Sequence, residues 1–415
     1  MLLNTICLLV KGDPISEVLL ADKKIGFGAG KVVGVGGTVE PGETLWQTAV
    51  RELEEEIGVQ IEEKDLQRAA KITFRFPGKP EWDRLVYVYF TRKWQGEIVE
   101  SNEVKPKWYP VEKIPYDEMW ADGAEWLPSV LAGRKIVARF TFAEDNETLS
   151  DVEVKDDQDY LWPHLKGLPY FRSLLRSVEA SYYQDLDLPE PVLDVGSGDG
   201  HFASLVFDRK LDVGLDPWWE PLRESKQYDI YHALVQADAA HSPFPSGHFA
   251  SALSNSVLEH IEHIDEVLAG TSRVLQPGAP FLFCVPNQGY VSELSIPKVL
   301  RKIGMSRLAN KYVNWFMRIS RTAHADSPEV WERRLKQAGF ELERYWHYFS
   351  PASLAVLEWG HYFGAPSWVA KLFFGRWIIA PFRWNLALIE RMLRRFDATE
   401  PLPSGTYSFF IARKQ

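Results

Sequence analysis

Two cysteines in 415 residues, Cys7 and Cys284, exclude a disulfide framework. Each lies in an apolar run with strand-like composition and reads as a reduced core thiol of a cytosolic protein. No stretch of about 18 residues is both apolar and uncharged, so no membrane-spanning helix is expected. The apolar opening MLLNTICLLVKGDP lacks the basic region and the small-residue cleavage site of a signal peptide. There is no internal repeat and no low-complexity tract. With 46% hydrophobic and 25% charged residues, a disordered chain and a collagen-like repeat are excluded as well. A net charge of −10 argues against general binding of a nucleic-acid polymer.

The length is two to three times that of a domain of about 100–200 residues, so more than one core is expected. Charge divides unevenly along the chain. Residues 1–155 hold 20 basic and 27 acidic side chains, whereas residues 296–395 hold 17 and 7. Up to about residue 155, short β-rich runs (5–10, 17–21, 72–76 and 85–91) surround one strong helical segment. From residue 192 short apolar strands alternate with longer helical stretches, the pattern of a parallel sheet with helices on both faces. The acidic stretch VKDDQD (154–159) is expected to link a domain over 1–155 to a second over 156–415, and residues 160–185 read as an amphipathic lead-in.

Residues 36–59 read GGTVEPGETLWQTAVRELEEEIGV. Pro41-Gly42 is a turn, Thr44 with Gln47 forms a capping box, and Gly58 supplies a left-handed stop, so a helix is expected from Leu45. Glu52, Glu55 and Glu56 then stand at i, i+3 and i+4 and share one helix face. Three close carboxylates repel one another unless a cation sits among them, and hard oxygen ligands suit Mg²⁺ or Mn²⁺. A solvated acidic face is the plain alternative, but Gly37, Glu43 and Arg51 accompany the carboxylates at fixed offsets.

The whole string fits G-x5-E-x7-R-E-U-x-E-E-x-G-U, with U aliphatic, and so resembles the Nudix box. The resemblance implies an α/β/α sandwich with a mixed sheet and metal-assisted hydrolysis of nucleoside diphosphate linkages. In that family Glu52, Glu55 and Glu56, with Gly37, would hold the metal, one of the glutamates would help to activate water, and Arg51 would pair with Glu43. KKIGFGAG (23–30), VESNEVKPKWY (99–109) and IPYDEMWADGAEW (114–126) extend the likeness to oxidised-purine nucleoside triphosphatases of the MutT-homologue type. By that likeness Phe27 and Trp120 would flank the purine, Thr5 and Lys23 would lie nearby, Asp122 would bond the base edge, and Glu100 would sit by the metal or nucleotide. Val33 and Gly123 stand where that relative has an asparagine and a second aspartate, so weak discrimination between oxidised and ordinary purines is expected.

VLDVGSGDG (192–200) is an apolar strand that runs into a glycine turn and then a helix. Gly196, Gly198 and Gly200 are spaced G-x-G-x-G rather than G-x-G-x-x-G, which disfavours a dinucleotide, and Asp194 points to a ligand with a cationic end. Asp216 ends a second strand, where ribose hydroxyls are held. Asp238 and Asn255 lie at the tips of a third and a fourth. Together these resemble class I S-adenosylmethionine-dependent methyltransferases with a Rossmann-like doubly wound sheet, strongly over 190–290. The resemblance implies that Gly196 and Gly198 meet the methionine portion, Asp216 the ribose and Asp238 the adenine amine, with Ala239 and Asn255 in the same site. His260 is the nearest candidate base, and a structural histidine is its plainer reading.

Seven tryptophans between Trp315 and Trp384 lie in the basic extension 296–395. Residues 350–395 interleave tryptophan with arginine, which suits a peripheral membrane contact or a lid over a lipid-like methyl acceptor; a buried insertion fits as well. The expectation is a bifunctional cytoplasmic enzyme that hydrolyses purine nucleoside triphosphates and transfers methyl groups from S-adenosylmethionine to an unidentified acceptor. The alternative is a Nudix module that senses nucleotide and regulates the methyltransferase.

Overall fold

The side chains of the first strand alternate between two cores, and that alternation sets the N-terminal architecture. The computed structural model describes residues 1–184 and 186–415; Asp185, at the end of the expected lead-in, lies outside the described residues. The chain divides into Met1–Gln158 and Asp159–Gln415.

In the first unit the strands are β1 (Leu2–Lys11), β2 (Glu17–Lys23), β3 (Val32–Val33), β4 (Gln67–Arg75), β5 (Arg84–Thr91), β6 (Val104–Pro110), β7 (Ile136–Phe142) and β8 (Leu149–Asp156). Among the described residues they form one sheet in the order β3-β2-β1-β5-β4-β7-β8, with β6 on β2. β1–β5 and β4–β7 are parallel pairs and the other pairs are antiparallel, so the sheet is mixed. Leu8 and Val10 of β1 pack with Trp126, Leu127 and Val130 of α2 (Gly123–Leu131). Cys7 and Leu9 point the other way and pack with Leu45, Ala49 and Leu53 of α1 (Leu45–Ile57). A two-residue period on the strand therefore places one helix on each face, which is the expected sandwich. The expected linker needs correction: residues 154–156 are the end of β8, which pairs with β7, and β7 and β8 were not among the expected strands.

In the second unit α3 (Leu161–Gly167) and α4 (Tyr170–Ser181) precede the strands β9 (Val192–Val195), β10 (Leu211–Asp216), β11 (Tyr231–Gln236), β12 (Ser251–Asn255), β13 (Pro280–Pro286), β14 (Phe340–Tyr348) and β15 (Tyr407–Lys414). Their order is β11-β10-β9-β12-β13-β15-β14. The first five are parallel, and β15 returns antiparallel to both neighbours. β13 is buried throughout and apolar along its length, as a strand covered on both faces must be. One face packs on α4, the other on the helix Ile264–Val274. The strand order reverses at β9, flanked by β10 and β12; ligands of open α/β sheets bind at such a point.

Candidate active sites

The capping box forms as its sequence requires: the Thr44 hydroxyl accepts the Gln47 N–H at 3.3 Å and the Gln47 side chain accepts the Thr44 N–H at 2.8 Å. The start of α1 is thereby fixed, and with it the register of the acidic residues that follow. Arg51 Nε donates to Glu43 Oε1 at 2.8 Å and Nη2 to Oε2 at 3.1 Å, a two-pronged bond that braces the loop on the helix. That guanidinium, with the Thr48 hydroxyl, holds the Glu43 carboxyl down at about 2.

The three box glutamates meet protein cations. Arg51 Nη1 donates to Glu52 at 2.8 Å and to Glu55 at 3.1 Å. Glu56 is buried, accepts Lys23 Nζ at 2.6 Å, and takes the Gly36 N–H at 3.2 Å. Among the described residues no group of three or more Asp, Glu, His or Cys converges as a metal site, because Arg51 and Lys23 divide the carboxylates between them. A Cβ on Gly37 would lie 2.2 Å from Glu52 Oε1, so only glycine leaves room for that carboxylate. The Gly37 carbonyl accepts the Thr5 N–H at 2.9 Å. Burial pushes the Glu52 carboxyl up, with Arg51 opposing it. Since one nitrogen touches both Glu52 and Glu55, one small cation can bridge the pair, and the all-oxygen donor set fits Mg²⁺ or Mn²⁺.

Glu100 needs correction. It pairs with Lys24 at 2.6 Å and is about half exposed. The residue tied to the box is Glu103, which accepts Lys23 Nζ at 3.1 Å. The antiparallel pairing of Lys23 with Val104 brings this segment alongside, and no local pattern carries the long-range register that selects Glu103.

Beside the box opens a cavity of about 150 Å³. Thr5, Lys23, Phe27, Trp120 and Asp122 all line it, as do Val33 and Gly123. Phe27 and Trp120 do not flank a gap, however: their centroids are 5.2 Å apart with planes 16° off parallel, and a base between them needs about 7 Å. Here the two rings form one stacked wall. Asp122 is buried, accepts Trp126 Nε1 at 2.9 Å, and is pushed up to about 6 by desolvation. Asn4, Phe76, Arg84 and Phe142 also line the cavity and were not expected there. Arg84 and Val86 share a strand face, a period-two signal that would have flagged Arg84 had the inward face been known.

In the second unit Gly196, Gly198 and Gly200 all have positive φ. A Cβ on Gly196 would lie 2.3 Å from Val257 Cγ1, so the turn demands glycine there. Asp194 lies buried beside the turn, accepts the Tyr231 hydroxyl at 2.6 Å, and is pushed up to about 7 by desolvation. Asp216 accepts the N–H groups of Gly198 at 3.0 Å and Trp218 at 2.9 Å, so it shapes the glycine turn from the next strand. Asp238 caps the turn Ala239–His241 by accepting the Ala240 N–H at 2.9 Å, and it meets His263 Nε2 at 2.8 Å. Ala239 is buried, its carbonyl 2.2 Å from where a Cβ on Gly270 would be.

Asn255 is corrected. Its amide donates to Glu179 at 2.7 Å and its oxygen accepts the Cys284 thiol at 3.0 Å, so both ends are engaged in a buried network with Ser256 and Tyr348. His260 Nδ1 contacts the Arg321 carbonyl at 2.8 Å, in keeping with the structural reading.

The segment 350–395 forms three helices, Pro351–Phe363, Ala365–Phe374 and Arg383–Leu393. Phe373, Phe374, Phe382, Trp384 and Leu388 are exposed. Trp384, Leu388 and Met392 stand at i, i+4 and i+8, an apolar stripe turned to solvent. Arg383 lies 4.6 Å over the Trp162 ring and Lys371 bonds Glu224 at 2.9 Å, which ties the segment to its own unit. Among the described residues no helix is long and apolar enough to cross a membrane.

Two family models match the chain: one described as NUDIX domain over residues 3–130, and one described as Methyltransferase domain over residues 170–345. The oxidized purine nucleoside triphosphate hydrolase of Danio rerio is 41% identical over 126 residues, 30% of this chain and 79% of that protein. The Mus musculus protein of the same name is 38% identical over 134 residues, 32% of this chain and 84% of its own. A SAM-dependent methyltransferase structure from Thermotoga maritima aligns at 15% identity and a TM-score of 0.35, covering 62% of this chain and 93% of that one.

Proposed function

We propose, for a chain that belongs to the Nudix family through its N-terminal domain and carries a methyltransferase domain behind it, two activities. The first is hydrolysis of purine nucleoside triphosphates to monophosphate and pyrophosphate, supported by Mg²⁺ or Mn²⁺. The second is transfer of a methyl group from S-adenosylmethionine to a lipid-like acceptor. The observation that carries the first is the braced box itself: Arg51 fixes Glu43 and meets Glu52 and Glu55 together, over a glycine that leaves room for Glu52.

A divalent ion there would neutralise phosphate oxygens and ease deprotonation of water. Glu52, Glu55 and Glu56 would hold it, and one of them would help to orient and deprotonate the attacking water. Lys23 holds the buried Glu56 carboxylate in place at 2.6 Å. The cavity beside the box receives the base. In the second domain, the close backbone approach of the glycine turn receives the cofactor, with Asp216 setting its shape and Asp238 at the neighbouring strand tip. The sulfonium is already activated, so the protein supplies approach geometry and excludes water. Exposed apolar side chains among arginines in residues 350–395 support a cytoplasmic enzyme that touches membranes from one side.

The test is pyrophosphate release by the full chain with Mg²⁺ over a panel of nucleoside triphosphates. Purine triphosphates are expected to yield monophosphate and pyrophosphate. Binding across the panel without turnover would overturn hydrolysis and favour a nucleotide-sensing module.

A further inference from the structure

Three buried polar atoms with no hydrogen-bond partner face the same cavity wall region: Asn4 Oδ1, Thr5 Oγ1 and Arg84 Nε. Buried polar groups are almost always paired, so three orphans lining one cavity call for a polar ligand. Asn4 is about nine-tenths buried and Thr5 almost wholly so. Asn4 uses its amide nitrogen on Thr38 at 3.1 Å, which leaves the carbonyl as a free acceptor.

Arg84 is the unusual member. Its guanidinium carbon lies 3.7 Å over the Phe27 ring, on the same ring that stacks on Trp120. The neighbouring carboxylate, Asp83, is taken by Arg75 at 2.7 Å and by the Phe76 N–H at 2.7 Å. The other lysine or arginine lining the cavity, Lys23, is paired with Glu56 and Glu103. The guanidinium of Arg84 thus rests over an aromatic wall, with a donor unspent. A fork of this kind recognises two adjacent acceptors in one plane.

We propose that Arg84, assisted by Asn4, determines which purine the cavity accepts, and that it selects a base with adjacent acceptors on its outer edge, as guanine offers in O6 and N7. Adenine presents a donor at the position of O6 and is disfavoured. An 8-oxo purine carries a hydrogen on N7, which turns one of the two acceptors into a donor facing the fork. Ordinary guanine is therefore preferred over its oxidised form in this chain. Asp122 takes the opposite role, accepting from the base N–H groups. The inference rests on the nucleotide reading of this cavity.

The experiment measures equilibrium binding of dGTP, dATP and 8-oxo-dGTP to the full chain in EDTA, by quenching of tryptophan fluorescence, beside kcat/KM for each with Mg²⁺. The wild type is expected to bind dGTP roughly tenfold more tightly than either competitor, the discrimination of about 1–3 kcal/mol a good two-pronged pair provides. Arg84→Met should bring the three affinities within about threefold, and Arg84→Lys should restore only part of the preference. Unequal affinities that survive Arg84→Met, or a wild type that prefers 8-oxo-dGTP, would overturn the assignment. Because the binding arm needs no metal, base selection without hydrolysis would sink the catalytic reading and leave this one standing. Hydrolysis without base selection would do the reverse.

Discussion

The two sites differ in what their motifs specify. In the Nudix box the named residues are chemical groups: Arg51, Glu43, Glu52, Glu55 and Glu56 meet one another or another charged side chain within 3.1 Å. In the glycine turn they specify a shape instead. Gly196 yields space to Val257, and the acids around it are occupied by backbone N–H groups, a tyrosine hydroxyl and a histidine. A hydrolase of this kind must place charge where charge develops, so its side chains carry the reaction. A methyltransferase receives an activated group and has mainly to hold it, so its backbone suffices. Substitutions should consequently act differently in the two domains.

The largest effect is expected at the box. Glu56→Gln keeps the size of the side chain and its place beside Lys23, yet should lower hydrolysis on the order of 10²–10³-fold. The affinity for S-adenosylmethionine, read by calorimetry on the same sample, should stay within about twofold, because the proposed cofactor site lies in another core. Reciprocally, Asp216→Asn should weaken cofactor binding roughly tenfold, near what one hydrogen bond to a charged group contributes, and leave hydrolysis unchanged. Loss of both activities in either variant, with the fold intact by circular dichroism, would erase the contrast.

A smaller effect concerns the basic extension. The full chain should float with vesicles that contain phosphatidylglycerol and bind those of phosphatidylcholine alone several-fold more weakly. Replacing Phe373 and Phe374 by serine should reduce flotation roughly tenfold, since each exposed ring would bury apolar area in the bilayer surface. Flotation that ignores these residues would assign the patch to some other partner.

How far the sequence alone reaches follows the same divide. The helix from Leu45 to Ile57, its Thr44 cap and its Gly58 stop were legible because capping and helix spacing are local. The brace of Arg51 on Glu43 followed from the resemblance and appears in the structure. The alternation of strand and helix from residue 192 was likewise legible. What escaped was non-local. Glu103 rather than Glu100 reaches the box because of a strand pairing. Phe27 and Trp120 close on each other because ring packing, not motif position, sets their separation. Asn255 turns inward because Glu179 and Cys284, far away in sequence, supply its partners. Arg84 went unnoticed since nothing local marks a strand arginine as facing a cavity.

Underlying the hydrolysis proposed for the N-terminal domain is a simple electrostatic statement: carboxylates now shared between Arg51 and Lys23 can take a divalent ion instead. Titrating Mn²⁺ into the full chain, followed by electron paramagnetic resonance of the free ion, measures this without any turnover. Saturable binding is expected in the wild type, weakened roughly 10–100-fold in Glu52→Gln and in Glu56→Gln. Binding of equal strength in all three proteins, or none in the wild type with nucleotide present, would contradict it.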